Sequence, residues 1–214
     1  MDRDQPPRAG RPGRPGLPLK LFLALALFPA LETGVMSLVM GTSIPLFLDS
    51  TFTALSAALL GPWWGAATGL AMQLVQEALH GFPWVYAPFA LCSAATALLV
   101  GLAARNGRFG TALDLAVVAL GTAGANAGIG AALVLALFGG GSGSNIDILV
   151  AGFKLVVRNE YLACLLPRIP INIVDKGLSV GAAFLLCKLL SPRLGPLVGR
   201  AAAQSTSPSS RQQR

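Results

Sequence analysis

The sequence predicts an all-α, polytopic membrane protein: a bundle of six transmembrane helices with an amphipathic segment before the last. Three observations predict it. Hydrophobic residues make up 54% of the 214 and charged residues only 12%, against about 25% charged in soluble domains. Apolar runs close to the roughly 20 residues that a bilayer crossing needs recur in succession. The net charge of +7 sits at the ends and in the turns rather than along one face. That pattern provides no basic stripe with interleaved aromatics for nucleic acid and marks cytoplasmic segments instead.

Residues 1–18 are rich in Pro, Gly and Arg and are expected to be a disordered basic tail. The membrane domain is expected over 19–191. Its first apolar run, Leu21 to Met40, also fits a signal peptide with Ala24-Leu25-Ala26 as the cleavage motif, but it is longer than a typical signal core. It is therefore read as an uncleaved first helix. Pro29 is expected to kink or loosen that helix. Glu32 inside the run is expected to face a bundle interior, a partner or a cavity.

The second helix is predicted from Ile44 to Leu60 and the third from Pro62 to Leu79, parted by Gly61-Pro62, with Pro tolerated at a helix start. Gly61, Gly65 and Gly69 recur every four residues, a row of missing side chains that admits another helix closely. Gly81-Phe82-Pro83 breaks the chain before a fourth helix, Trp84 to Ala104, and a short basic turn, Arg105 to Arg108, follows. The fifth helix is predicted over Ala112 to Phe138, with Asn126 near its middle, and then a flexible glycine-serine loop.

Residues 146–168 are apolar, but Lys154, Arg158 and Glu160 fall mid-stretch, and central charges cost roughly 2.5–3.5 kcal/mol each in a membrane. Lys154, Arg158 and Tyr161 are spaced to share one helical face, so an amphipathic surface helix is expected. The last span is predicted from Ile169 to Leu190, ended by Pro192 and Pro196, with 192–214 a second disordered tail. With both termini cytoplasmic, twelve Lys and Arg lie inside and four (Lys154, Arg158, Arg168, Lys176) outside, in keeping with the positive-inside rule.

This topology collects the unexplained polar residues at one end. Gln73, Gln76, Glu77 and His80 fall at i, i+3, i+4 and i+7, one helical face. Trp84 and Tyr86 follow directly. Asn172, Asp175 and Ser179 line a second stripe, and adjacent Asp175 and Lys176 are expected to point apart toward different partners. Asp49 sits near the same end. The candidate substrate-binding residues are therefore Asp49, Gln76, Glu77, His80, Trp84, Tyr86, Arg158, Glu160, Asn172, Asp175, Lys176 and Ser179, converging on an outward-facing pocket.

No catalytic constellation is present: there is no H-E-x-x-H, G-x-S-x-G or Walker A. No cofactor is expected. A metal site is unlooked for with one histidine and three unpaired cysteines, Cys92, Cys164 and Cys187, which read as small apolar packers. An enzyme would need Glu77 and His80 to act together, and ATP-driven transport would need a partner subunit.

LDSTFTALSAALLGPWWGAATGL, the basic turn at 105–108 and PRIPINIVDKGLSV resemble the substrate-binding S components of energy-coupling-factor (ECF) transporters, over nearly all of 20–190. The resemblance implies six helices, capture of a vitamin-like small organic micronutrient near the outer face of the bacterial cytoplasmic membrane, and toppling within the bilayer to carry it inward. It implies association with a transmembrane coupling subunit and two cytoplasmic ATPases. The family's A-x-x-x-A pattern for the coupling subunit is matched by Ala26 and Ala30, with Gly34 extending the row. The N-terminal histidine motif of nickel and cobalt members is lacking, and the substrate stays open. The alternative class is a ligand-binding membrane sensor or interaction module.

Overall fold

The computed structural model describes residues 17–42, 44 and 46–198. Of the tails expected at 1–18 and 192–214, residues 1–16 and 199–214 lie outside the described residues, while Leu17 and Pro18 already belong to the first helix. Among those described the chain is all-helical: α1 (Leu17–Phe22), a π-helical turn (Leu23–Leu27), α2 (Phe28–Met40), α3 (Thr51–Leu60), α4 (Pro62–Leu79), a 3-10 turn (Ala87–Phe89), α5 (Ala90–Arg105), α6 (Ala112–Phe138), α7 (Asp147–Val156) and α8 (Glu160–Val198). Three segments, Leu17–Val39, Ala87–Arg105 and Ala112–Phe138, are long and apolar enough to cross a membrane. Large apolar side chains such as Leu38, Leu113, Val117, Leu185 and Leu189 point outward from several helices. A soluble protein rarely tolerates that much exposed apolar surface.

α1 and α2 run on through the π turn. Pro29 has no amide to give the Leu25 carbonyl, and its ring crowds that carbonyl; the wider π turn just before it makes the room.

The glycine row has the role its spacing suggests. A β-carbon on Gly65 would lie 2.5 Å from that of Ala57 on α3, and one on Gly69 would meet Ser93 on α5 and Thr53 on α3. Gly101 completes the seam, since a β-carbon there would lie 2.7 Å from the Pro62 backbone. α3, α4 and α5 therefore touch almost backbone to backbone, a packing small residues permit. Thr68 Oγ1 bridges the same interface by donating to Ser56 Oγ at 2.8 Å.

The apolar core fills one end of the bundle. Leu23, Phe28, Leu55, Leu59, Val100, Phe109, Val180 and Ala183 meet there. The opposite end, which holds the loops 80–89 and 139–146, is lined by polar groups.

Five boundaries differ from those the sequence predicts, the first being that the opening helix already begins at Leu17 rather than Leu21. The second helix begins at Thr51, not Ile44, because Phe47 and Leu48 give their amides to Asp175 rather than to a helix and Leu48 is left-handed (φ 44°). The fourth begins at Ala90, after the 3-10 turn, because Phe82 and Trp84 are also left-handed. The expected amphipathic helix is only α7: the chain turns extended at Val157, and Asn159 caps a new helix by accepting the Leu162 amide at 3.0 Å. Lys154, Arg158 and Tyr161 therefore share no helical face. α8 then passes through Pro167 and Pro170 and continues past Pro192 and Pro196 to Val198, so the helix reaches into the stretch expected to be a disordered tail from residue 192.

Candidate functional site: a polar cavity closed by carboxylate clamps

Buried carboxylates shape this end of the molecule by holding backbone amides. Glu32, fully buried on α2, accepts the Phe52 and Thr53 amides at 3.0 and 2.7 Å and the Thr53 hydroxyl at 2.8 Å. Those are orphan donors of the first turn of α3, which Ser50 does not cap with its side chain, and a carboxylate there also complements the helix dipole. The buried charge inside the first apolar run thus has an intramolecular partner.

Glu77 does the same for the next loop. It accepts the amides of Trp84, Tyr86 and Ala87 at 2.8, 2.6 and 2.7 Å. Asp147 gathers the glycine loop, taking the amides of Ser142, Gly143 and Ser144 at 2.7–3.2 Å. Asp175 takes those of Phe47 and Leu48 at 2.9 and 2.7 Å. Strained left-handed residues sit on two of these clamps, Leu48 and Trp84, where a firm hold offsets a backbone cost of about 1–3 kcal/mol.

The clamped loops and the helices between them enclose a cavity of about 240 Å³. Met36, Phe47, Tyr86 and Phe89 provide apolar and aromatic wall, and Asp49, Gln73, Asn126, Arg168, Asn172 and Lys176 provide the polar wall. A mostly apolar hollow with a few convergent polar groups is the usual form of a small-molecule site.

At its floor Lys176, 1% exposed, lies between two carboxylates. Its Nζ is 2.7 Å from Asp49 Oδ1, 2.8 Å from Asp175 Oδ2 and 2.7 Å from Ser50 Oγ. The expectation that Asp175 and Lys176 point apart is corrected here: the long lysine stem folds back so that the neighbours pair with each other and share Asp49. Asn126 is fixed by Thr96 Oγ1 and the Thr122 carbonyl, both at 2.8 Å. Asn172 donates to the Arg168 carbonyl at 2.9 Å. Gln73 Oε1 is buried with no donor. Tyr86 lines the cavity, and partial burial with the nearby Glu77 carboxylate raises its phenol pKa, so the hydroxyl stays protonated.

Of the twelve sequence-predicted site residues, Asp49, Tyr86, Asn172 and Lys176 line the cavity. Asp175 stands behind Lys176, and Ser179 is buried with an unpartnered hydroxyl. Gln76 is buried and donates to Met36 Sδ at 3.0 Å, behind the wall. Glu77 is given over to the loop amides. His80 is exposed, its Nδ1 2.9 Å from the Gln76 carbonyl and its ring 4.8 Å from that of Tyr86. Trp84, Arg158 and Glu160 are exposed and do not line the cavity. Glu77 and Arg158 are thus not brought to the hollow that holds Asn172.

The cavity is also lined by residues outside the predicted set: Arg168, which the sequence explains only as a topological charge, Gln73 of the predicted stripe, Cys92, which reads as an apolar packer, and Ser142, Gly143 and Ser144 of the flexible loop. The signal for Arg168 was present: a guanidinium inside an apolar run needs a partner or a cavity. No family model matches this chain, and no curated protein or solved structure matches it.

Proposed function

We propose that the chain is the substrate-capture subunit of an ECF-type ABC importer, seated in a bacterial cytoplasmic membrane with both termini cytoplasmic. In this reading six segments cross the bilayer: α1–α2, α3 with the extended residues before it, α4, α5, α6 and α8, while α7 lies at the surface. The cavity faces outward, takes up a vitamin-like organic micronutrient, and delivers it through a transmembrane coupling subunit driven by two ATPases.

The observation that carries this reading is the contrast between the two ends of the bundle: one packed with apolar side chains, the other holding a hollow into which buried polar groups converge, its loops pinned by carboxylates. A carrier must desolvate its cargo within a low-dielectric body, and preformed polar partners make that possible. The row Ala26, Ala30 and Gly34 is exposed, and nothing lies within 4 Å of where a Gly34 β-carbon would be. That supports a smooth docking edge for a coupling subunit.

The test is co-expression of the chain with a coupling subunit and its ATPases, followed by affinity purification and uptake into cells that lack other importers. A stable four-protein assembly and ATP-dependent accumulation of a micronutrient are expected. A chain that never associates with any coupling subunit and supports no uptake would overturn the proposal.

A further inference from the structure

Arg168 is a buried cation with no ion-pair partner among the described residues. It is 4% exposed and lines the cavity. Nη1 donates to the Cys164 carbonyl at 2.9 Å, one turn back on α8. Among the described residues no carboxylate lies within 4.0 Å of the guanidinium. The nearby Asp147 is committed to three loop amides, and both Asp49 and Asp175 face Lys176.

A buried guanidinium presents five donors in a planar fork, and one of them is used here. Leaving such a charge desolvated and unpaired is costly. Gly130 of α6 lines the cavity beside it, and a β-carbon there would lie in contact with Nε, at 3.9 Å. The same cavity is lined by acceptors: Gln73 Oε1, without a donor, and the Asp49 carboxylate, whose Oδ1 accepts from Ser50 and Lys176. The hollow thus holds both a donor and acceptors.

Resting on the carrier reading for the identity of the site, we infer that the cargo is a small organic acid whose carboxylate or phosphate docks on Arg168 and whose N–H or O–H donor meets Gln73 and Asp49. A fork-to-oxyanion contact is bidentate and favours planar acids over neutral isosteres.

The test uses the purified full chain, without any coupling partner, in nanodiscs of phosphatidylcholine alone. Thermal unfolding is followed with a panel of small acids and their neutral counterparts, among them 4-hydroxybenzoate against 4-hydroxybenzamide, 4-aminobenzoate against its amide, and glycerol 3-phosphate against glycerol. At least one acid is expected to raise the melting temperature and its neutral counterpart is not. Arg168→Gln should weaken that acid by about 10- to 150-fold, the range for hydrogen bonds to a charged group, with Arg168→Lys intermediate. Gly130→Val, which leaves the charge in place and fills the space beside it, should weaken it as well, and this second variant covers the case in which Arg168→Gln fails to fold.

Equal stabilisation by acid and amide, full retention of acid binding in both variants, or no acid that stabilises the chain would overturn the inference. So would stabilisation that needs phosphatidylglycerol in the nanodisc and no soluble acid, which would make Arg168 a lipid-headgroup site. Arg168-dependent acid binding without coupled uptake would keep this inference and remove the carrier reading. Coupled uptake of a neutral compound would do the reverse.

Discussion

Asp175 holds Leu48 in place across 127 residues of sequence, its Oδ1 accepting the Leu48 amide at 2.7 Å while Leu48 sits in the left-handed region at φ 44°. The same carboxylate turns its other oxygen to Lys176 at 2.8 Å. One buried side chain thus fixes both the loop that carries Asp49 and the cation at the cavity floor. The cavity wall at 46–49 exists because α8 supplies an anion to it.

Asp175→Asn should therefore act on the loop first. The amide keeps the shape but gives up the charge that orients Phe47 and Leu48, and removing one partner of a buried ion pair costs about 3–5 kcal/mol. Amide hydrogen exchange at Phe47 and Leu48 is expected to accelerate well before exchange in α6 does. Uniform acceleration through the bundle would show that Asp175 serves global packing rather than the loop.

Lys176 balances two carboxylates, so its loss should be worse than the loss of either. Lys176→Met leaves Asp49 and Asp175 facing each other without a cation, and a penalty at the upper end of about 3–5 kcal/mol is expected. Asp49→Asn leaves the Lys176–Asp175 pair intact and should cost about 1.5–3 kcal/mol, as for a hydrogen bond to a charged group. Denaturant titration in mixed micelles checks the order. An Asp49→Asn variant as unstable as Lys176→Met would mean that the three groups do not divide in this way.

How much of this was legible depended on whether the deciding contact was local. The bounds of α6 coincide with those the sequence predicts because its signals are adjacent in the chain: Thr111 and Asp114 form a reciprocal cap, and Gly139 closes the helix in the left-handed region. α4, set between Gly61 and the Gly81 turn, is equally plain. The start of α3 is decided by Asp175, far along the chain, and no window of sequence around Ile44 contains it. The break between α7 and α8 did have a local mark, Asn159 followed by Glu160, but the apolar residues around it read as continuous. Among site residues, polarity inside an apolar run correctly drew attention to Glu77 and Asp175, yet polarity alone does not separate a ligand contact from a backbone clamp. Both are clamps. Arg168 is the converse case, a charge that the topological count explained away.

The glycine seam gives a sharper contrast within one residue type. Gly65→Ala places a methyl group against the Ala57 side chain and backbone, so α3 and α4 must part, at a cost of about 1–3 kcal/mol for overpacking. Gly121→Ala on α6 meets nothing within 4 Å and should be neutral or gain about 0.5–1 kcal/mol from helix propensity. Thermal unfolding of the two variants side by side checks this. Equal effects would mean that the close approach of α3 and α4 relaxes freely.

Ala30→Phe separates capture from delivery. Ala30 is exposed on α2 between Ala26 and Gly34, all three facing outward, and it neither lines the cavity nor belongs to the packed core. A bulky substitution at an exposed site usually changes stability by no more than about 0.5 kcal/mol. The variant should therefore fold, and the acid that stabilises the wild type should stabilise it to the same extent. What a phenyl ring at this edge removes is the close backbone approach that a row of small residues permits, so uptake with the coupling complex should be lost while capture persists. Unchanged uptake would place the docking edge elsewhere on the molecule, and lost capture would mean that α2 shapes the cavity through more than Met36.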